Sequence, residues 1–100
     1  MDNIVKEIGL PALTEQCAEE CTELAHACLK MARKLRGENI TPKQYSEIRS
    51  ELKEEIADVN LLISMICTNF EFDADDILTL STRKYCRWLD RIEEHKKQEE

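Results

Sequence analysis

The chain has 100 residues, of which 42% are hydrophobic and 35% are charged, a composition typical of a folded domain and not of a disordered segment. Its formal net charge of −7 at pH 7 argues against binding to a nucleic-acid polymer, because such proteins use basic surfaces to neutralise phosphates. With two glycines and two prolines, it has too few turn residues for an all-β protein. We therefore expect a single all-α domain over residues 1–100.

The N-terminal third of the chain predicts a short helix or turn and then a long helix. The short element covers residues 2–8. The long helix follows Pro11, which suits an opening helical turn, and continues to about Leu35, where Gly37 stops it. Steps of three and four residues give it one apolar stripe, made of Leu13, Cys17, Cys21, Leu24, Cys28, Met31 and Leu35.

Two further long helices are predicted after residue 40. Thr41-Pro42-Lys43-Gln44 is typical of a capping box with proline at the first helical position. Asp73 then caps the last helix after a short break at residues 69–72, and the charged tail 95–100 is expected to fray. The predicted core positions are Ile48, Leu52, Ile56, Val59, Ile63, Ile66 and Phe70 on the first of these helices, and Ile77, Leu80, Tyr85, Trp88, Leu89 and Ile92 on the second.

The middle helix is apolar over a broad arc, which includes Leu61, Leu62 and Met65 in addition to its stripe. Three helices of this size bury such an arc poorly within one chain. The sequence therefore predicts a helical bundle that is completed by homo-oligomerisation.

The five cysteines indicate the compartment. Their number is odd, they form no CxxC pair, and three of them lie in the first apolar stripe. We interpret them as small buried hydrophobic residues in a reducing cytoplasm rather than as a disulfide framework. No secretory signal or membrane-spanning segment is evident, so neither a membrane nor export is expected.

Acidic side chains beside two of the stripes are the strongest candidates for chemistry. Glu20 and Glu23 form an i,i+3 pair on the first long helix, and Glu55 and Asp58 form another on the second. Glu55 lies about 40° from the centre of its stripe, given about 100° per residue, so folding must partly desolvate it. Antiparallel packing would gather the four carboxylates, an arrangement that suits a hard divalent cation. The alternative is that both pairs are ordinary solvated charges.

His26 raises the alternative of a different kind of metal site. Glu23 and His26 form a Glu-x-x-His step, as in four-helix di-iron carboxylate proteins. The second helix supplies no matching histidine, and the angular count places His26 on the far side of its helix from Glu20. We interpret His26 as a surface side chain.

The order of these motifs resembles the MazG family of all-α nucleotide pyrophosphohydrolases. An EExxE motif at residues 19–23 is followed by an ExxD motif at residues 55–58. Gln16 precedes the first motif, and Lys34-Leu35-Arg36-Gly37 closes its helix. The resemblance covers approximately residues 13–92.

The resemblance implies a Mg²⁺-dependent hydrolase, with Mn²⁺ as a substitute, that cleaves a nucleoside triphosphate into the monophosphate and pyrophosphate. It implies a homodimer or homotetramer. It assigns metal binding to Glu20, Glu23, Glu55 and Asp58, activation of water to Glu19 or Glu20, and substrate binding to Gln16, Lys34, Lys84 and Arg87. The lysines and the arginine would take up charge on the leaving pyrophosphate.

Two other functions remain open at this level. One is a helical oligomerisation or binding module that has kept the fold without activity. The other is a di-iron carboxylate bundle built around the Glu-x-x-His step.

Overall fold

A computed structural model describes residues 3–37 and 42–99 of the chain. These residues form the helices α1 (Asn3–Ile8), α2 (Leu10–Arg36), α3 (Tyr45–Asn69) and α4 (Ala74–Glu99) and contain no strand. The all-α class, the three long helices and the short N-terminal helix are thus confirmed. Helices α1 to α3 belong to one compact unit, and the chain from Phe70 onward, which contains α4, forms a second unit.

Both ends of α2 lie where the sequence predicts them. Gly9 separates α1 from α2 with a φ of 86°, and Pro11 occupies the first turn of α2. At the other end Gly37 takes a left-handed conformation with a φ of 69°, and its N–H donates to the carbonyl of Lys34 at 3.3 Å. Glycine suits both junctions because it has no Cβ to clash at positive φ.

The predicted start of α3 is wrong. Pro42 and Lys43 lie in a bend, and α3 begins at Tyr45. The carbonyl of Gln44 accepts the first helical hydrogen bonds, from the N–H groups of Glu47 at 3.1 Å and Ile48 at 3.2 Å. The carbonyl of Lys43 instead accepts a hydrogen bond from the ammonium of Lys34, which holds this segment outside the helix. Thr41, the other half of the predicted capping box, lies outside the described residues.

Helices α2 and α3 pack antiparallel, because residues near the start of α2 meet residues near the end of α3. The core contains Val5, Leu13 and Leu62, with Cys17 and Ile66 packed against it. Most of the buried and half-buried positions on these two helices follow steps of four and three, the heptad spacing of paired helices. These heptad positions are Leu13, Cys17, Glu20, Leu24, Ala27, Met31 and Lys34 on α2, and Ile48, Leu52, Glu55, Val59, Leu62, Ile66 and Asn69 on α3.

This pattern corrects the predicted stripes. Cys21, Cys28 and Leu35 on α2 are exposed, as are Ile56 and Ile63 on α3. The stripes were assigned by hydrophobicity, so they included the apolar residues next to Glu20 and Glu55. The structure places Glu20 and Glu55 themselves at the heptad positions. The interpretation of the cysteines as buried is wrong for the same reason, since three of the five are exposed, although all five are free thiols.

Helix α4 begins as predicted and ends later. The N–H of Asp75 donates to Oδ1 of Asp73 at 2.9 Å, which confirms the predicted cap. The expected fraying of the tail is wrong, because α4 continues to Glu99, where His95 Nε2 lies 2.9 Å from Glu99 Oε1, one turn away. The six predicted core side chains of α4 are all exposed. No helix within residues 3–37 and 42–99 is long and apolar enough to cross a membrane.

Candidate metal centre

Two carboxylates lie inside the interface between α2 and α3. Glu20 and Glu55 occupy heptad positions on the two helices and are half-buried, while Asp58 lies one turn beyond Glu55 and is exposed. One oxygen from each of these three side chains lies within 4.8 Å of the other two. The structure thus brings together three of the four carboxylates that the sequence singled out as metal ligands.

Glu55 has the least favourable electrostatic environment of these groups. Partial burial, together with the negative charges of Glu20, Asp58 and Glu23, raises the pKa of Glu55 above its ordinary value. Its Oε2 atom is buried and accepts no hydrogen bond from the described part of the chain. A buried acceptor without a donor is destabilising, and a nearby cation would satisfy it. Oxygen donors of this kind fit a hard divalent cation such as Mg²⁺.

Glu23 lies beside this cluster but has no oxygen within it. Its charge nevertheless contributes to the raised pKa of Glu55, so the two side chains are close enough to interact. Glu19, one of the two side chains predicted to activate water, is exposed on α2. Gln16 lies one turn before Glu20, and its Nε2 donates to Oε1 of Glu20 at 3.3 Å. Gln16 thus contacts a candidate metal ligand, and its contact with substrate remains a prediction.

A cavity of about 280 Å³ adjoins the cluster. Glu23 and Glu55 form its acidic edge, and the remaining polar side chains in its wall are His26, Lys30, Lys43 and Glu51. His26 is exposed, as predicted, and it lines this cavity together with Glu23 and Glu55.

The basic side chains that were predicted to bind substrate belong to α2 and α4. Lys34 is half-buried on α2, and its Nζ donates to the carbonyl of Lys43 at 3.1 Å. Lys84 and Arg87 are exposed on α4, in the second unit. Their contact with substrate therefore remains a prediction.

The sequence reasoning missed Lys30, Lys43 and Glu51 as cavity residues. Two of them carried a usable signal, since Lys30 lies two turns after Glu23 and Glu51 one turn before Glu55, on the same helix faces. Lys43 carried none, because it reaches the cavity from the connection between α2 and α3. Its side chain forms an ion pair with Glu51.

The comparison with known families agrees with this geometry. Residues 2–90 match the MazG nucleotide pyrophosphohydrolase domain. The chain belongs to the MazG family. Its carboxylate cluster lies within the residues that carry the match. No curated protein and no solved structure gives a significant match to this MazG chain.

Proposed function

We propose that this MazG chain is a Mg²⁺-dependent nucleoside triphosphate pyrophosphohydrolase. It would cleave the bond between the α and β phosphates and release the nucleoside monophosphate and pyrophosphate. The observation that carries the proposal is the convergence of Glu20, Glu55 and Asp58, with an unpartnered Glu55 oxygen, in a chain of a pyrophosphohydrolase family.

Acidic side chains would have two tasks in this reaction, which are holding the cation and accepting a proton from water. Glu20, Glu55 and Asp58 would hold the cation, with Mn²⁺ as a substitute, and Glu23 would complete the set from the edge of the cavity. The bound cation would neutralise phosphate oxygens and lower the pKa of a coordinated water. Glu19 or Glu20 would accept the proton of the attacking water. Gln16 would fix the carboxylate of Glu20 through its hydrogen bond.

Cationic side chains would stabilise charge on the leaving pyrophosphate. Lys84 and Arg87 are candidates because they lie within one turn of each other on α4, and Lys34 is a third. Charge developing on the leaving group is the main electrostatic demand of phosphoryl transfer.

The proposed assembly is a homodimer or a homotetramer in the cytoplasm. The exposed apolar side chains on α3, which include Ile56, Leu61 and Ile63, support a second copy as partner. Five free thiols suit a reducing compartment.

The reaction can be tested by identifying its products. A panel of ribo- and deoxyribonucleoside triphosphates is incubated with Mg²⁺ in ¹⁸O-labelled water, and the products are analysed by mass spectrometry. We expect pyrophosphate and a monophosphate, with the label in the monophosphate if water attacks the α phosphorus. EDTA should abolish turnover. Release of inorganic phosphate would show that another bond is cleaved, and no turnover on any nucleotide would favour an inactive binding module.

A further inference from the structure

The cavity beside the carboxylate cluster combines two kinds of charge. Its acidic edge, at Glu23 and Glu55, adjoins the candidate cation site. Two ammonium groups lie in its wall, from Lys30 on α2 and from Lys43 in the connection before α3. An anion that binds both a metal ion and lysine side chains would suit a cavity lined by both kinds of residue.

Two contacts with described residues help to hold the position of Lys43. Its carbonyl accepts a hydrogen bond from Nζ of Lys34 at 3.1 Å, which ties the bend at residues 42–44 to the last turns of α2. Its own ammonium donates to Oε1 of Glu51. The hydrogen bond with Glu51, and then the negative charge of Glu51, raise the pKa of Lys43, so Lys43 keeps its charge at neutral pH.

Glu51 interacts electrostatically with both lysines. Its hydrogen bond with Lys43, and more weakly the charges of Lys43 and Lys30, lower its pKa. Glu51 is therefore an anionic carboxylate held by lysines in a cavity next to a cation site. An incoming phosphate group carries the same sign of charge and would compete with it for the same ammonium groups.

We propose that Lys30 and Lys43 bind the phosphate chain of the substrate, and that Lys43 exchanges its carboxylate partner, Glu51, for a phosphate oxygen. This inference rests on the proposed function, because it assigns part of the same substrate to a particular cavity. A volume of about 280 Å³ and two lysines among the lining residues suit a phosphate chain, whose oxygens accept charge-assisted hydrogen bonds from ammonium groups.

The test uses inorganic pyrophosphate, the proposed product, because it carries phosphates without a base or sugar. Its dissociation constant is measured by calorimetry with Mg²⁺ for the wild type and for Lys30→Gln, Lys43→Gln and Lys53→Gln. Lys53 is the matched control, since it is exposed on α3 and does not line the cavity. We expect about tenfold weaker binding for the two cavity variants, the loss of one charge-assisted hydrogen bond on an exposed surface, and no change for the control.

Two further measurements separate phosphate binding from indirect effects. Mn²⁺ affinity, measured by electron paramagnetic resonance without pyrophosphate, should be the same in all variants. Lys43→Arg should restore most of the affinity that Lys43→Gln loses, because it keeps the charge. Circular dichroism verifies that each variant remains helical.

A double-mutant cycle tests the exchange of partners. Glu51→Gln should tighten pyrophosphate binding in the wild-type background, because it removes the internal competitor of Lys43. The gain should largely disappear in Lys43→Gln. A gain of equal size in both backgrounds would overturn the exchange and leave only general repulsion by Glu51.

The outcomes distinguish failure of this inference from failure of the proposed function. Turnover by the wild type with equal pyrophosphate affinity in all lysine variants would overturn the cavity assignment alone. So would turnover by a wild type that binds no pyrophosphate. A wild type that neither hydrolyses nucleotides nor binds pyrophosphate would overturn the proposed function, and the inference with it.

Discussion

At the scale of single residues, the placement of Glu55 matters most. A position that packs apolar side chains elsewhere along α3 carries a carboxylate here, and other carboxylates surround it. Folding therefore gathers like charges and partly desolvates one of them, which opposes folding of the metal-free chain. Tolerating this cost makes physical sense if a cation neutralises the site, since binding to the folded state stabilises it by mass action.

The raised pKa of Glu55 predicts a pH dependence of stability in the metal-free protein. Between the ordinary value of 4.5 and the higher value in the folded state, the folded chain binds more protons than the unfolded chain. The contribution of Glu55 to the free energy of unfolding must therefore fall as pH rises through this window. Urea unfolding in chelator, for wild type and Glu55→Gln at a series of pH values, isolates the contribution as a difference.

The sign of that difference decides the prediction. The wild type should lose stability relative to Glu55→Gln as pH rises from about 4.5, and the difference should level off above the folded-state pKa. A difference that grows in favour of the wild type would contradict the burial and repulsion assigned to Glu55. Added Mg²⁺ should reverse the trend, because the cation competes with the proton for the carboxylate.

At the scale of the elements, the heptad pairing of α2 and α3 predicts which apolar residues carry stability. Leu13 and Leu35 both belong to the stripe expected from sequence, yet Leu13 is fully buried and Leu35 is 70% exposed. Leu13→Ala should cost about 2–5 kcal/mol because it leaves a cavity. Leu35→Ala should change stability by about 0.5 kcal/mol or less. Urea unfolding of both variants measures these costs, and equal losses would contradict the assigned faces.

The sequence predicted most of the helix ends, but it did not predict which face of each helix is buried. Proline and glycine placed the ends of α2, and Asp73 placed the start of α4, because these residues act on the backbone within one turn. The buried faces of α2 and α3 were partly misassigned, because hydrophobicity alone favoured Cys21 and Ile56 as buried residues over the adjacent Glu20 and Glu55. The start of α3 was missed because the Lys34 contact joins residues nine positions apart.

The candidate site also contains residues that the sequence predicted and residues that it did not. Carboxylates at i,i+3 spacing on two helices were visible in the sequence, since helical periodicity fixes their common face. On the lysine side of the cavity, the same periodicity could have indicated Lys30, two turns after Glu23, but not Lys43. Lys43 reaches it from a bend whose path depends on the contacts of Lys34 and Glu51.

At the scale of the whole molecule, the exposed apolar side chains on α3 predict self-association. Size-exclusion chromatography with light scattering should give at least twice the mass of one chain. Ile63→Asp should shift the protein toward the monomer, because Ile63 is 45% exposed in one chain and the substitution places a charge among exposed apolar side chains. Lys53→Asp, a change on the polar side of α3, is the control. A wild-type mass equal to one chain would contradict the prediction.

The proposed function depends on binding of a cation by the carboxylates of Glu20, Glu55 and Asp58. The most direct test compares wild type, Glu55→Gln and Glu54→Gln in Mg²⁺-dependent pyrophosphate release from the best substrate of the panel. Glu54 is the matched control, because it is the adjacent acidic residue on α3 and is exposed. We predict that Glu55→Gln lowers kcat/KM by about 100-fold or more while Glu54→Gln stays near wild type. Equal activity of all three proteins would contradict the account.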